Sequence, residues 1–454
     1  MNIPDPEHAA GGETEVEITD LDSGQIPGRS TRRNRVPWFR ARAWMSLAMI
    51  GGIALLVVVV LVSVLHLPKV ARVTSPVPIN YPVSLFVVDG ICYTTAPNGV
   101  VTALRASDGV LLWRHVSGKT GEESATVVDG VIYLVPFIPP DSTATTVTVE
   151  ALRASNGSPL WSRTLPRDSF TFFQLTVVNR VVYVLSEADT IEALRASDGA
   201  LLWSYTSRML SVLTVADGVV YGGTKDGHLS ALRASDGFPL WTYTSLTPQS
   251  FSPVVADGRV FLNLQGGGMD VLRAGTGGLL WRYTPPVPAL QLFPLPLVTN
   301  GVVYAATQDG HLYALRASNG STVWRIALHA TDLLLLSETG GVIYVGTNDS
   351  SIVALRESSG SVLWRHQGGE EEQALITEGV IYLTFYIASN SIGSITVLRA
   401  SDGIVLWRYI PPVPARQLSP VEADGLVLIA SQDGSIDALR ASSGSLLWHR
   451  AMNS

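Results

Sequence analysis

The chain has 454 residues, a formal net charge of −7 and a single cysteine. Hydrophobic residues make up 46% of it and charged residues only 15%, so the chain can bury a large core and global disorder is excluded. The small negative charge excludes the strongly basic surface of a nucleic-acid binder, and one cysteine excludes an intrachain disulfide and a Cys-rich zinc site.

The N-terminal segment, up to His66, has the pattern of a membrane anchor. Residues 1–43 show no apolar period and carry acidic residues followed by six arginines between Arg29 and Arg42, which predicts a disordered tail. No charge occurs between Ala43 and Leu65, and about 20 apolar residues suffice to cross a membrane, so residues 44–66 are predicted to form an uncleaved transmembrane helix. Because the arginines precede this span, the tail is expected in the cytoplasm and the rest of a single-pass cell-membrane protein outside. Four prolines in residues 67–82 predict a stiff stalk.

The remaining residues, 83–452, repeat one phrase that ends in tryptophan. The repeat tryptophans lie 38 to 48 residues apart, a period typical of stacked supersecondary units. They are Trp113, Trp161, Trp203, Trp241, Trp281, Trp324, Trp364, Trp407 and Trp448.

Each repeat predicts four antiparallel strands. In one of them, Val302–Thr307, His311–Ala317 and Thr322–Ala327 are apolar segments separated by Asp-Gly or Asn-Gly, which are strong hairpin signals because tight turns need positive φ. Four strands per ~40 residues correspond to one blade of a β-propeller. Blades stack face to face, which explains strands that are apolar on both sides. The fold class is therefore predicted to be all-β, a single propeller.

The repeated phrase, as in Ala103-Leu-Arg-Ala-Ser-Asp-Gly-Val-Leu-Leu-Trp113, resembles the tryptophan-docking motif of the PQQ-type, quinoprotein-like β-propeller family. The resemblance implies that each tryptophan packs across a glycine-containing turn and ties neighbouring blades together. The matching glycines are Gly109, Gly157, Gly199, Gly237, Gly277, Gly320, Gly360, Gly403 and Gly444. Where the family has Asp, this chain has arginine in every repeat: Arg105, Arg153, Arg195, Arg233, Arg273, Arg316, Arg356, Arg399 and Arg440. In four repeats an aspartate three residues later can pair with this arginine, and an anion-binding ring remains an alternative to a purely structural position.

The number of blades is predicted to be nine, with eight as the alternative. Every repeat contains all four strands, and Trp448 lies six residues from the last residue, so no spare strand remains to close the ring by exchange. Repeats also resemble one another at offsets of three: Tyr283-Thr-Pro-Pro-Val-Pro recurs as Tyr409-Ile-Pro-Pro-Val-Pro. Growth by three-repeat duplication favours nine.

One face of the propeller is predicted to carry any binding site. The connections between the second and third strands and those between repeats share a face, and they vary in length and composition, as binding loops on rigid scaffolds do. The candidate residues on this face are Glu122, Glu123, Glu370, Glu371, Glu372, Pro285, Pro286, Pro411 and Pro412. They would meet an unidentified protein or small-molecule ligand, and ordinary solvated loops are the alternative.

Catalysis has little support in the sequence. No histidine pair has metal-ligand spacing, no Gly-x-Ser-x-Gly elbow occurs, and no catalytic or metal-binding residue is assigned. The resemblance implies, for family dehydrogenases, PQQ with calcium and adjacent cysteines, and one cysteine, Cys92, cannot make such a pair. The favoured hypothesis is a membrane-anchored binding or scaffolding module without a cofactor. A PQQ-dependent oxidoreductase and a sensor that signals through its short tail are the alternatives.

Overall fold

The computed structural model describes the propeller region and part of the segment before it. The described residues are 70–72, 84–96, 99–117, 123–136, 145–166, 174–186, 189–208, 210–246, 251–264, 268–285, 296–307, 310–328, 330, 333–347, 349, 351–368, 372–377, 379–385, 393–412, 419–431 and 435–451. The predicted tail, 1–43, and the predicted membrane helix, 44–66, lie outside these ranges. Among the described residues there is no helix that could cross a membrane.

The chain forms strands from Val70 to Ala451. The first three sheets contain β1 (Val70–Arg72), β2 (Ser84–Val88), β3 (Ile91–Ala96), β4 (Val100–Arg105), β5 (Leu111–Val116), β6 (Glu123–Val128), β7 (Val131–Pro136), β8 (Thr146–Arg153), β9 (Pro159–Pro166), β10 (Gln174–Val178), β11 (Val181–Ser186), β12 (Thr190–Arg195) and β13 (Leu201–Thr206).

The next three contain β14 (Leu210–Ala216), β15 (Val219–Thr224), β16 (His228–Arg233), β17 (Pro239–Thr244), β18 (Val254–Ala256), β19 (Arg259–Asn263), β20 (Met269–Arg273), β21 (Leu279–Tyr283), β22 (Leu297–Thr299), β23 (Val302–Ala306), β24 (His311–Arg316) and β25 (Thr322–Ala327).

The last three contain β26 (Leu333–Thr339), β27 (Val342–Thr347), β28 (Ser351–Arg356), β29 (Val362–Gln367), β30 (Glu372–Thr377), β31 (Val380–Phe385), β32 (Ser394–Arg399), β33 (Val405–Tyr409), β34 (Ser419–Ala423), β35 (Leu426–Ala430), β36 (Ser435–Arg440) and β37 (Leu446–Ala451).

Each repeat is one antiparallel sheet of four consecutive strands, which we call A, B, C and D of a blade. The described strands make nine such blades, as the sequence predicts. Strands B and C are almost wholly buried, whereas strand D, which carries the repeat tryptophan, has exposed residues at alternate positions and forms the outer edge. The first blade has a fifth strand, because β1 pairs antiparallel with β2. β1 falls inside the predicted stalk, 67–82, so this part of the stretch is paired with the propeller.

The core lies between the blades. Each hydrophobic cluster joins strands of two neighbouring blades, as where Tyr183 and Leu185 of the third blade pack with Leu213 and Val220 of the fourth. Burial on both sides of every sheet removes far more apolar surface from water than one face could, and this is the main stabilising term of the fold. Cys92 is one of these buried residues and lies between the ninth blade and the first.

The two faces of the propeller are built differently. On the turn face, every A–B turn has two residues, such as Asp89-Gly90, and every C–D turn has five, such as 106–110. Both Asp89 and Gly90 have positive φ, as the tight hairpin requires. On the opposite face, which we call the variable face, the B–C connections differ in length, from 97–99 to 137–145, and the D–A connections differ more, from 207–209 to 284–296.

The ring closes between the ninth blade and the first without exchange of a strand. The indole N–H of Trp448 donates to the carbonyl of Ala106 at 3.0 Å, and Arg450 donates to the carbonyl of Gly109 at 2.7 Å. Leu85 and Val87 pack with Val421 and Leu428 across the same boundary. The prediction of nine blades is confirmed, and the eight-blade alternative is wrong, because Trp448 meets the first blade as each other tryptophan meets the next one.

Blade seams and candidate binding surfaces

The repeat tryptophans make the same contact in every seam, that is, at every boundary between neighbouring blades. Each indole N–H donates to a backbone carbonyl of the following blade at 2.8 to 3.0 Å. The acceptor follows the repeat arginine directly, so that Trp113 bonds Ala154 and Trp324 bonds Glu357. An aromatic residue of strand B accompanies most of them, with ring centroids 5.8 to 6.5 Å from the tryptophan. The tryptophan-docking role predicted from the resemblance is confirmed.

The repeat glycines are the surfaces on which the indoles lie. Gly157 has φ +68°, and a Cβ placed on it would come within 2.4 Å of the Trp113 ring. The other repeat glycines face the tryptophan of the preceding blade in the same way, and Gly109 faces Trp448. Glycine is needed here twice, for the left-handed backbone and for the close approach of the ring.

The repeat arginines build the C–D turns with their backbone. In every blade the arginine carbonyl accepts from the repeat glycine N–H at 2.8 Å, as Arg316 does from Gly320. The side chains Arg105, Arg195, Arg233 and Arg399 pair with the aspartate three residues later at 2.7 to 2.9 Å, as predicted. The backbone N–H of Val110 and the Arg105 guanidinium lower the pKa of Asp108 below its usual range. The guanidinium groups of the other five have no hydrogen-bond partner among the described residues.

The half of each seam nearer the variable face differs from blade to blade. Between the fourth and fifth blades, the buried carboxylate of Asp270 accepts from Arg282 Nε at 2.5 Å and Nη2 at 2.7 Å, and the Tyr243 hydroxyl donates to it. Burial and the nearby Asp270 raise the pKa of Tyr243 to about 12. The carboxylate therefore ties the outer strands of two blades together.

Other seams fill the same position with other chemistry. Between the eighth and ninth blades, buried Asp437 accepts from the Tyr409 hydroxyl at 2.8 Å and lies 2.6 Å from His449 Nδ1. Between the second and third, Arg163 pairs with Glu192 at 2.9 Å. Between the sixth and seventh, the position is apolar, with Ile326 packed against the cluster of Val353. These contacts are not among the sequence predictions, although the signal is present: they join the second residue after each tryptophan to the residue three positions before the repeat arginine of the next blade.

The structure describes only some of the residues predicted for the binding face. Pro285 is buried and Pro411 is buried beside exposed Pro412, all at the ends of D strands on the variable face. Glu123 and Glu372 begin the A strands β6 and β30 on that same face. Glu122, Pro286, Glu370 and Glu371 lie outside the described residues, so their gathering into one site stays a prediction.

The described residues offer the following chemistry. Within them, no group of three His, Cys, Asp or Glu side chains lies close enough to hold a metal ion. Burial raises the pKa of the Cys92 thiol well above its usual range, so the cysteine is an unreactive part of the seam. Asp270 and Asp437, the two buried carboxylates described above, contact side chains of the blade seams.

The chain is similar to known proteins in sequence and in fold. The family model PQQ_2, described as outer membrane protein assembly factor BamB, matches residues 70–164, 145–289 and 275–450. No curated protein matches the chain. BamB from Moraxella catarrhalis is 16% identical over 82% of this chain and 99% of that one, with a TM-score of 0.50. The computationally designed protein Ika8 is 14% identical over 72% of this chain and 98% of that one, with a TM-score of 0.52.

A quinohemoprotein alcohol dehydrogenase from Pseudomonas putida HK5 also matches, with 16% identity over 73% of this chain and 71% of that one and a TM-score of 0.46. At these identities, the similarity to the first two structures establishes the propeller fold and not an activity. The family model covers most of the chain and carries the assignment of the family.

Proposed function

This chain belongs to the PQQ_2 repeat family, and we propose that it is a membrane-anchored, extracytoplasmic propeller that binds a partner protein as a scaffold and has no catalysis of its own. One of the proteins whose fold it shares over most of its length is named BamB, and the family description calls BamB an outer membrane protein assembly factor. The predicted anchor, residues 44–66, would hold the propeller at the membrane surface.

The observation that carries the proposal is the contrast in loop length between the faces. Turns of two and five residues recur in every blade on one face, whereas connections as unequal as 207–209 and 284–296 lie on the other. A propeller ring closes when neighbouring blades pack in the same way. That packing does not require loops that are long or unequal in length. Unequal loops on a rigid ring are the usual means of recognising another molecule.

The experiment compares loop variants of the full chain in its native membranes. Residues 386–393 and 137–145 are each replaced by the three-residue connection Pro97-Asn98-Gly99, and proteins that copurify after mild crosslinking are quantified. We expect at least one variant to lose a specific partner while its far-UV circular dichroism spectrum stays unchanged. The fold should survive the replacement because the length of a surface loop has little effect on stability. Asp257→Asn, in an A–B turn, is the matched control. Equal recovery of every crosslinked protein from the loop variants and the control would refute a binding role for these loops.

The oxidoreductase alternative has its own assay. The full chain is incubated with PQQ, calcium, an alcohol or sugar panel and an artificial electron acceptor. We expect no dye reduction above that of PQQ and calcium alone, because Cys92 is a single, buried thiol and cannot form the cysteine pair that the family resemblance associates with the cofactor. Substrate-dependent reduction would replace the scaffold proposal by the enzyme. The sensor alternative predicts a cytoplasmic protein that a peptide of residues 1–43 captures.

A further inference from the structure

We propose that the turn face is a lipid-contact surface, which lies against phospholipid headgroups through exposed aliphatic side chains and unpaired arginines at its rim. This inference rests on the membrane anchor of the proposed function. It adds an orientation to that function, because the variable face then points away from the membrane and toward a partner.

The first argument is the place where the chain joins the propeller. β1 runs antiparallel to β2, with Val70 opposite Val88 and Arg72 opposite Phe86. Val88 directly precedes the Asp89-Gly90 turn, so Val70 is at the turn-face end of the blade and the chain arrives from that side. The uncharged segment ends at Leu65, and the five steps from Leu65 to Val70 can span at most about 18 Å. A membrane anchor in that segment therefore holds the turn face close to the bilayer.

The second argument is a rim of exposed aliphatic residues at the same end of the blades. Strand D starts at the turn face, and its first residues are exposed aliphatic side chains in blade after blade, such as Leu111 and Leu112 at 43% and 39%. In some blades the preceding turn residue is apolar as well, as with Phe238 at 60% and Ile404 at 54%. Exposed apolar surface of this extent marks a contact with protein or membrane.

The third argument is the chemistry of the arginines beside this rim. The arginines without an aspartate partner are exposed, and their guanidinium groups have no hydrogen-bond partner among the described residues: Arg153, Arg273, Arg316, Arg356 and Arg440. A guanidinium binds phosphate through two parallel hydrogen bonds while its stem lies along apolar surface. These arginines therefore suit the headgroup layer, and the aliphatic residues suit the layer just beneath it.

Acidic residues on the turn face set the kind of lipid that is expected. Asp89, Asp129, Asp217, Asp257 and Asp424 are in the A–B turns, nearer the axis than the arginines of the C–D turns. They offset the positive charge of the face as a whole, so a net attraction to anionic lipid is not the driving force. The expected ligand is the phosphate group that phospholipids share, whatever the net charge of the headgroup.

The test uses matched pairs of positions at the two ends of one outer strand. Ile404 precedes β33 and Ile410 follows it, with exposures of 54% and 63%; Val110 precedes β5 and Val116 ends it, with 45% and 61%. Each is replaced singly by cysteine in the full chain, labelled with a fluorophore and reconstituted into phosphatidylcholine vesicles containing nitroxide lipids, with and without phosphatidylglycerol. Cys92 is buried, so the introduced thiol is the one that reacts.

We expect at least threefold stronger quenching for Ile404→Cys than for Ile410→Cys, and for Val110→Cys than for Val116→Cys, in both lipid mixtures. The reason is that six residues of strand separate the members of a pair by about 20 Å. Replacement of the five unpaired arginines by glutamine should reduce the quenching at Ile404→Cys, and replacement by lysine should reduce it less. Quenching that needs phosphatidylglycerol would overturn the shared-phosphate assignment.

Three further outcomes would overturn the lipid contact. Equal quenching within both pairs, in a chain that resists carbonate extraction, refutes the contact and leaves the anchor of the proposed function intact. Chain released by carbonate refutes the anchor and the lipid contact together. A second copy of the chain is the occupant of the rim if two results come together. Quenching at Ile404→Cys is then weak at every lipid ratio, and energy transfer between fluorophores on different chains disappears on dilution into excess lipid.

Discussion

The turn-face half of the seams and their variable-face half follow different rules. At the turn face the same tryptophan, glycine and arginine recur in every blade, and the indole hydrogen bonds all measure 2.8 to 3.0 Å. Toward the variable face, the same geometric position holds Tyr243 with Asp270 in one seam and Ile326 near Val353 in another. The turn-face end of each seam therefore fixes how neighbouring blades pack. The variable-face end needs only two side chains that are complementary to each other.

The two halves of a seam have different roles: one sets the packing geometry of neighbouring blades, and the other only adds stabilising side-chain contacts. An indole that fills the space above a glycine fixes the distance and angle between two blades, so every copy must be alike for the ring to close. A polar or apolar pair farther along the seam contributes stability without setting the angle, and it varies as long as each buried group finds a partner. The following predictions change each half in turn.

Removal of the closing tryptophan should have the largest effect. Trp448→Ala leaves a cavity against Gly109 and an unbonded Ala106 carbonyl, and we expect it to lower the free energy of unfolding by about 3–5 kcal/mol. Trp281→Ala, in an interior seam, should lower the free energy of unfolding by the same amount. Trp448→Phe should lower it less, because phenylalanine keeps an aromatic side chain against the glycine and loses only the hydrogen bond. Urea denaturation followed by far-UV circular dichroism measures all three. A much smaller loss for Trp448→Ala than for Trp281→Ala would contradict equivalent seams.

Crowding of a docking glycine should come next. Gly444 has φ +68°, and a Cβ there would come within 2.4 Å of the Trp407 ring, so Gly444→Ala adds overpacking to backbone strain and should cost about 2–5 kcal/mol. Gly258→Ala is the matched control, since φ is +69° and nothing lies within 4 Å of the new Cβ; its expected cost is about 1–2 kcal/mol. Thermal unfolding of the two variants compares them. Equal melting temperatures would mean that the tryptophan contact does not constrain the seam.

Loss of a seam carboxylate should be smaller and specific to its seam. Asp270→Ala leaves Arg282 and the Tyr243 hydroxyl without their acceptor, and we expect it to lower the free energy of unfolding by about 2–4 kcal/mol. The loss is smaller than for a fully buried ion pair because the Arg282 side chain is one-third exposed. The double variant Tyr243→Ile with Asp270→Val copies the apolar seam of Ile326 and Val353, and it should recover part of this loss. Urea denaturation at neutral pH tests both. A double variant less stable than Asp270→Ala would show that the variable half of a seam is not interchangeable.

Acid should have the smallest of these effects, through His366. Burial and the neighbouring Arg408 lower the pKa of His366 below its ordinary value of 6.5. The unfolded chain then takes up the proton first as the pH falls below about 6.5, so this histidine lowers stability between that value and its folded pKa. The melting temperature between pH 7.5 and 5.5 should fall less in His366→Gln than in the unaltered chain. An identical fall in both would remove His366 as a source of the pH dependence.

Much of the architecture could be predicted from the sequence because the same pattern of turns and tryptophan occurs in all nine repeats. The Asp-Gly turns and the tryptophan period predict four-stranded blades and a ring of nine, and the spacing of three residues predicts the pairing of Arg105 with Asp108. All three predictions are confirmed. The polar seam contacts were not predicted, because the two halves of each contact belong to different blades and are distant in the chain. Only the register of the repeat relates Tyr243 to Asp270, which lie 27 residues apart in the chain.

The sequence by itself therefore determined what each repeat must be: a four-stranded blade with a glycine turn and an outer tryptophan. These features follow from local turn preferences and from burial of both faces of a sheet, and both are written in neighbouring residues. Only the tertiary structure decided which side chains meet across a seam, and that the chain before Ser84 joins the propeller at its turn face, through the pairing of Val70 with Val88. Local sequence preferences do not determine either contact, because the first needs two blades to pack together and the second needs β1 to pair with the edge of a formed blade.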